Sequence, residues 1–243
     1  MKAFSLETKH LLITGASSGL GRQVAITASR AGATLIITGR NTERLLETFD
    51  QLHGAGHVSI SADLTKDEDV ATLISQLPKI HGVFFSAGTS AILPASFINR
   101  EKLSNEISVN FMAPVLLTSA LLRSKKLVNN DCSLLYMSTI STVYPFVGGG
   151  MYISARAAVE GYARVLALEL APKGIRVNCL RSGFVKTPML DQTARLSQEV
   201  VGKIEKQQPL GIGEPEDVAN TAVFYFADAS RWISGTNLIL GGG

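Results

Sequence analysis

Short apolar runs recur along this chain at intervals that leave room for a helix. They are HLLIT at 10–14, TLIIT at 34–38, HVSIS at 57–61, GVFFS at 82–86, SLLYMS at 133–138, IRVNCL at 175–180 and TNLIL at 236–240. Runs of this length are strands rather than helices. The first six are separated by segments long enough for helices, at 19–31, 41–52, 66–77, 100–127 and 151–171. Strand and helix in alternation imply an α/β fold: a doubly wound, Rossmann-like parallel sheet of seven strands with helices on both faces. Such a sheet takes ligands beyond its carboxyl edge, where the strand order reverses.

Composition agrees with one domain over 1–243: the chain has 243 residues, 46% hydrophobic and 18% charged, enough for a well-buried core. A net charge of +3, with only the isolated pair Lys125-Lys126 and no basic stripe, gives no surface for nucleic acid. The start, MKAFSLETKHLLITGASSG, lacks a sustained apolar stretch, and no run approaches the ~18 apolar residues of a membrane span. Cys132 and Cys179 sit in strand-like apolar surroundings and read as buried thiols, which excludes a disulfide framework or metal site and makes the cytoplasm the expected compartment. One region, 188–213, breaks the rhythm. It precedes a helix expected near Glu214-Pro215-Glu216 and reads as a lid over the sheet edge. Its Met189, Leu190, Leu196, Val200, Val201 and Ile204 suit an apolar or amphipathic substrate, and equally a helix packed on its own domain.

After the first strand comes Thr14-Gly15-Ala16-Ser17-Ser18-Gly19-Leu20-Gly21, followed by an amphipathic segment. Glycines at 15, 19 and 21 allow a tight turn and close backbone approach, and the new helix points its first N–H groups at an incoming anion. A diphosphate cradle is the expectation. The second strand leads into Gly39-Arg40-Asn41, where a dinucleotide fold usually sets an acidic residue for the ribose 2′-OH. A cation there suits a 2′-phosphate, so the expected cofactor is NADP before NAD, unless Arg40 is only a solvated arginine opening a helix with Glu43. Further on, Tyr152 precedes Arg156 by four residues at the start of a helix, which puts phenol and guanidinium on one face.

These motifs, TGxxxGxG, Ala87-Gly88 after strand four, Asn110 in the fourth helix, Tyr-x-x-x-basic and G-x-x-x-T after strand six, resemble the short-chain dehydrogenase/reductase family over nearly the whole chain. The likeness is to its 3-oxoacyl-carrier-protein reductases in particular. The resemblance implies hydride transfer between a nicotinamide cofactor and a small carbonyl or alcohol substrate, usually in a homodimer or homotetramer. It places Gly15, Ser17, Ser18, Gly19, Leu20 and Gly21 at the diphosphate, Asp63 and Leu64 at the adenine, Ser86, Ala87 and Gly88 near the ribose, and Gly183, Val185 and Thr187 at the nicotinamide. Tyr152 takes the role of general acid and Asn110 that of the asparagine that holds a relay water. The partner hydroxyl, thirteen residues before the tyrosine, falls on Thr139, with Ser138 and Ser141 as alternatives.

Several positions depart from the family pattern. Arg156 stands where lysine is usual, and it keeps the charge without being able to titrate. Ser86 replaces the asparagine before Ala87-Gly88, Ser182 the proline before Gly183, and Gly241 the aspartate before the final glycines. Two functions follow as expectations: an NADP-preferring carbonyl reductase, or a cofactor-binding homologue with little catalysis that acts as a regulatory or assembly partner. If arginine supplies only charge, Arg156→Lys raises turnover. If it is fixed by planar hydrogen bonds, the same change costs stability. The apolar residues spread around helix 151–171 add a surface for self-association.

Overall fold

The computed structural model describes residues 2–190 and 208–241, and its seven parallel strands pair in the order β3-β2-β1-β4-β5-β6-β7. The strands are β1 (His10–Thr14), β2 (Thr34–Gly39), β3 (Val58–Ser61), β4 (Gly82–Phe85), β5 (Cys132–Thr139), β6 (Ile175–Ser182) and β7 (Asn237–Leu240). Successive residues of a strand face opposite sides, and both sides here are apolar. Leu11, Ile13, Leu35, Ile37, Phe84, Leu135 and Met137 pack with Val24, Ala28, Ala222 and Phe226 of α1 (Gly19–Arg30) and α7 (Pro215–Phe226). Leu12, Ile36, Val83, Phe85, Leu134 and Tyr136 face the other layer, with Leu73 of α3 (Asp67–Gln76), Leu117 of α5 (Ala113–Arg123) and Leu166 of α6 (Gly150–Leu170). Each fully buried side chain of this size contributes about 1.5–3 kcal/mol, so burial on both faces anchors the sheet between its two helical layers.

The order reverses between β1 and β4, whose carboxyl ends open a crevice. Thr14 pins that point: its Oγ1 donates to the Phe84 carbonyl at 3.2 Å and accepts the N–H groups of Ser86 and Ala87 at 3.1 and 3.2 Å. On β2's far side, α2 (Thr42–Phe49) is capped by Asn41, which accepts the Arg44 N–H.

The single helix expected over 100–127 is instead α4 (Arg100–Ile107), a π-turn (Ser108–Met112) and α5, and Leu127 then bridges to Ile80. Pro114, at the start of α5, has no N–H to give to the carbonyl of Asn110 four residues back, and the ladder widens there. By length and composition the run Arg100–Arg123 could span a bilayer, with a mean hydropathy of 1.2 in its most apolar window. It lies in the helical layer, where Asn110 and Leu117 are fully buried. Of the expected lid, 191–207 lies outside the described residues.

Candidate active site

The turn from β1 into α1 is built by backbone contact. A Cβ on Gly15 (φ +66) would stand 2.7 Å from the Ala87 nitrogen, and one on Gly21 would stand 2.3 Å from the Gly15 carbonyl oxygen. Neither position accepts another residue without moving backbone. Ser18, the N-cap of α1, makes no side-chain cap bond, which leaves the first-turn N–H groups for an anion. Arg22 holds the turn from outside, its Nη2 donating to the Ser17 and Arg44 carbonyls and to Glu47 at 2.8, 3.1 and 2.9 Å.

Two cavities meet at Ser18. The first is lined by Gly15, Ser17, Arg40, Asp63, Leu64, Ala87 and Gly88, together with Arg44. The sequence reading missed Arg44. It lies in the first turn of α2, and a second basic residue shortly after Arg40 was the available signal. Burial pushes the Asp63 carboxyl up, but the Thr65 hydroxyl and N–H, with Arg40 and Lys66 nearby, outweigh it and hold the group below its ordinary range. The second cavity gathers Ser18, Gly19 and Leu20 from the turn, Ser86 just beyond β4, Ser138 and Thr139 from the end of β5 and Ser141 from the turn after it, Tyr152 and Arg156 from α6, and Gly183, Val185 and Thr187 beyond β6. Ile92, Ile140, Phe146, Phe184, Met189 and Leu190 give the wall its apolar part, and Ser90 and Ser182 add hydroxyls. Gly21 and Asn110 line neither cavity: the first backs the turn, and the second is fully buried behind Gly88.

Tyr152 and Arg156 share one face, as their spacing predicts. The guanidinium lies over the ring, with Cζ 5.4 Å from the centroid, and Nη1 donates to the Met137 carbonyl at 3.0 Å. The Tyr152 hydroxyl has no hydrogen-bond partner among the described residues. Thr139 ends β5 and caps the next turn, accepting the Ser141 N–H and donating to the Ser141 hydroxyl, both at 3.2 Å. Ser138 lines the same cavity, but its hydroxyl donates to Glu160 at 2.5 Å. Glu160 is 3% exposed and also accepts Thr142 at 3.0 Å and Arg181 Nε and Nη2 at 2.9 and 2.6 Å. Burial raises its carboxyl, and the bonds from Arg181, Ser138 and Thr142 more than reverse that and hold it below the usual range. Of the three hydroxyls, Ser138 is thereby committed elsewhere.

The family profile described as enoyl-(acyl carrier protein) reductase matches residues 15–243. A 3-oxoacyl-(acyl-carrier-protein) reductase of Rickettsia felis is 31% identical over 240 residues, covering 98% of this chain and 97% of that protein. A human (3R)-3-hydroxyacyl-CoA dehydrogenase is also 31% identical, over 96% of this chain and 94% of its own. Among solved structures, a short-chain type dehydrogenase/reductase from Mycobacterium marinum superposes with a TM-score of 0.89 at 25% identity, over 100% of this chain and 97% of the other. A structure described as an NAD(P)-dependent gluconate 5-dehydrogenase from Beutenbergia cavernae, with NADP bound at low occupancy, gives 0.88 at 28% identity over 99% and 98% of the two chains.

The chain belongs to the short-chain dehydrogenase/reductase family. Within this family of oxidoreductases, the departures at 86 and 182 are absorbed locally. The Ser86 N–H bonds Thr14 Oγ1, and the Ser182 hydroxyl donates to the Gly183 carbonyl at 2.7 Å, steadying a bend that proline would stiffen. The Gly183 N–H then donates to the Leu240 carbonyl at 2.7 Å, and Thr187 packs beside Gly19.

Proposed function

We propose that this short-chain dehydrogenase/reductase is an NADP-preferring reductase of an apolar carbonyl compound, with a 3-oxoacyl thioester as the first substrate to try. The observation that carries the reading is the phenol of Tyr152, without a partner among the described residues, in a cavity that meets at Ser18 the one lined by a glycine cradle and two arginines. The cradle fits a diphosphate because Gly15 and Gly21 bring backbone where any side chain would stand. Arg40 and Arg44, with no carboxylate at Gly39, fit a 2′-phosphate. Bound there, the cofactor supplies a hydride.

The chain's residues do the rest. Tyr152 gives its hydroxyl proton to the substrate oxygen as that oxygen gains charge, and Thr139 donates a second hydrogen bond by turning its one proton from the Ser141 hydroxyl to the substrate, while the Ser141 N–H keeps Thr139 oriented. Arg156 supplies a fixed positive charge to the phenol and donors to the nicotinamide ribose, and Asn110 holds the backbone at Thr89 behind them. Gly183, Val185 and Thr187 seat the nicotinamide, while Ile92, Phe146 and Met189 shed water from an apolar substrate. Leu168 and Val165 of α6, 78% and 56% exposed, support assembly into a homodimer or homotetramer, and the free thiols Cys132 and Cys179 support a cytoplasmic setting. A cofactor-binding protein without catalysis has less behind it, because nothing among the described residues ties down the Tyr152 hydroxyl.

The test is steady-state reduction of a panel of apolar ketones and 3-oxoacyl thioesters with NADPH and with NADH. Turnover with NADPH that vanishes in Tyr152→Phe, with NADPH affinity nearly unchanged, is the expected result. Equal rates in the two proteins would remove Tyr152 from the chemistry.

A further inference from the structure

Two buried charges stand on opposite sides of one asparagine. Glu106, in the last turn of α4, is 3% exposed, and Arg156 is 5% exposed. Among the described residues neither belongs to an ion pair. Glu106 accepts Asn110 Nδ2 at 2.9 Å, Thr89 Oγ1 at 3.2 Å and the Ala91 N–H at 3.5 Å. Arg156 has Nη1 on the Met137 carbonyl, and its Nε has no partner among the described residues. Its Nη2 and the Asn110 Oδ1 press against the same side of Gly88: a Cβ there would stand 2.2 Å from the first and 2.8 Å from the second.

Asn110 therefore turns its amide nitrogen to the carboxylate and its oxygen to the side where the guanidinium lies. Reversing the amide would set N–H against the Thr89 N–H, which now donates to Oδ1 at 3.1 Å, so the network determines the orientation. The π-turn Ser108–Met112 carries Asn110, and its Nδ2 also bonds the Glu106 carbonyl at 3.1 Å. Glu160, one turn beyond Arg156, is taken up by Arg181.

We propose that Glu106 is a positioning residue for Arg156: acting through the Asn110 amide, its carboxylate is the counter-charge that holds the guanidinium against Gly88 and over the Tyr152 ring. The proposal rests on the roles given to Tyr152 and Arg156 above. A buried ion without a counter-charge is costly, and an aligned amide dipole between two opposite charges lowers the cost of both. Arginine, unlike lysine, cannot shed its proton to escape that cost, so a permanent cation in this place calls for a counter-charge nearby.

A double-mutant cycle tests it on the full chain. Glu106→Gln keeps size and one acceptor oxygen for the Asn110 and Ala91 donors, and its amide can donate to a Thr89 hydroxyl that turns to accept, so the charge is the main loss. It is expected to lower kcat roughly ten- to a hundredfold through misplacement of Arg156, with KM for the carbonyl within about twofold of wild type. It is also expected to lower Tm by about 2–4 °C. In an Arg156→Met background the carboxylate is a lone buried charge, so Glu106→Gln should raise Tm there and leave the residual rate unchanged. Should Arg156→Met not fold, Arg156→Gln gives the uncharged background. The same fall in Tm in both backgrounds overturns the proposal, as does an unchanged kcat in Glu106→Gln. The sign of the Tm change needs no turnover, so it reads out even if the reductase assignment fails.

Discussion

Replacing Glu160 with Gln separates the scaffold of this site from its chemistry. The carboxylate is 3% exposed and holds Arg181 at 2.9 and 2.6 Å, Ser138 at 2.5 Å and Thr142 at 3.0 Å. Glutamine keeps one oxygen and turns two N–H groups toward a guanidinium whose one carboxylate partner among the described residues is Glu160. Breaking a buried pair from one side costs about 3–5 kcal/mol, and the lower end applies because the Arg181 side chain keeps 20% of its exposure and water can reach it. At roughly 2–4 °C per kcal/mol for a chain of this size, Tm should fall by about 6–12 °C. The pH dependence has a definite sign. The folded carboxyl lies below its ordinary 4.5, so the unfolded chain takes up the proton first as pH falls. The stabilisation is therefore complete above about 4.5 and lost as pH drops through the folded value, so the two melting curves should converge in acid. Because Glu160 also ties the turn bearing Thr139 to the helix bearing Tyr152, kcat should drop while NADPH affinity holds. Calorimetric melts from pH 3 to 8 check this. A Tm within 2 °C of wild type at neutral pH would refute the reasoning.

Further outcomes follow from the same geometry. Arg40→Ala should weaken NADPH by about 1.5–3 kcal/mol while sparing NADH, and Arg44→Ala should act in the same direction; an unchanged ratio of the two affinities in both variants would remove the basis for NADP preference. Arg156→Lys should lower Tm, since the shorter amine leaves the Met137 carbonyl unpaired, at a cost of about 1–3 kcal/mol; a more stable variant with faster turnover would favour the opposite expectation. Burial pushes the thiols of Cys132 and Cys179 up to about 12, so neither should react with a thiol reagent at neutral pH until the protein unfolds, and rapid native labelling would contradict their placement.

The strands β1, β2, β4, β5 and β6 were legible because they are buried on both faces, so their apolar runs needed no partner to be recognised, and the more exposed edge strands β3 and β7 were placed by the rhythm those runs set. Tyr152 and Arg156 were legible for a related reason, since their contact is set by helical spacing within one element. The break at Ser108–Met112 was not, because a proline four residues past Asn110 only widens a helix that the pattern continues on both sides. Glu160 with Arg181, and Glu106 near Arg156, were also out of reach. The members of these pairs lie on different elements, and only the packing of α6 against β6 and α4 brings them together. Ser138 shows the same limit: spacing kept it as a candidate, and only the fold reveals the carboxylate that accepts its hydrogen bond.

Alternation along β5 sorts the two neighbouring hydroxyls. Ser138 turns to the α6 carboxylate, and Thr139, the last residue of the strand, turns to its own capping bonds with Ser141 in the cavity. A strand ending one residue earlier would exchange those roles, because one step flips a side chain to the other face. The register Thr139↔Ser182, the last pair between β5 and β6, prevents that slip, and it joins the hydroxyl to the bend that leads to Gly183. The Glu160–Arg181 pair sits one residue back on β6, opposite Ser138. The same buried charge pair that engages one hydroxyl thus holds the strand ends in the register that leaves the other in the cavity, bonded only to Ser141 among the described residues.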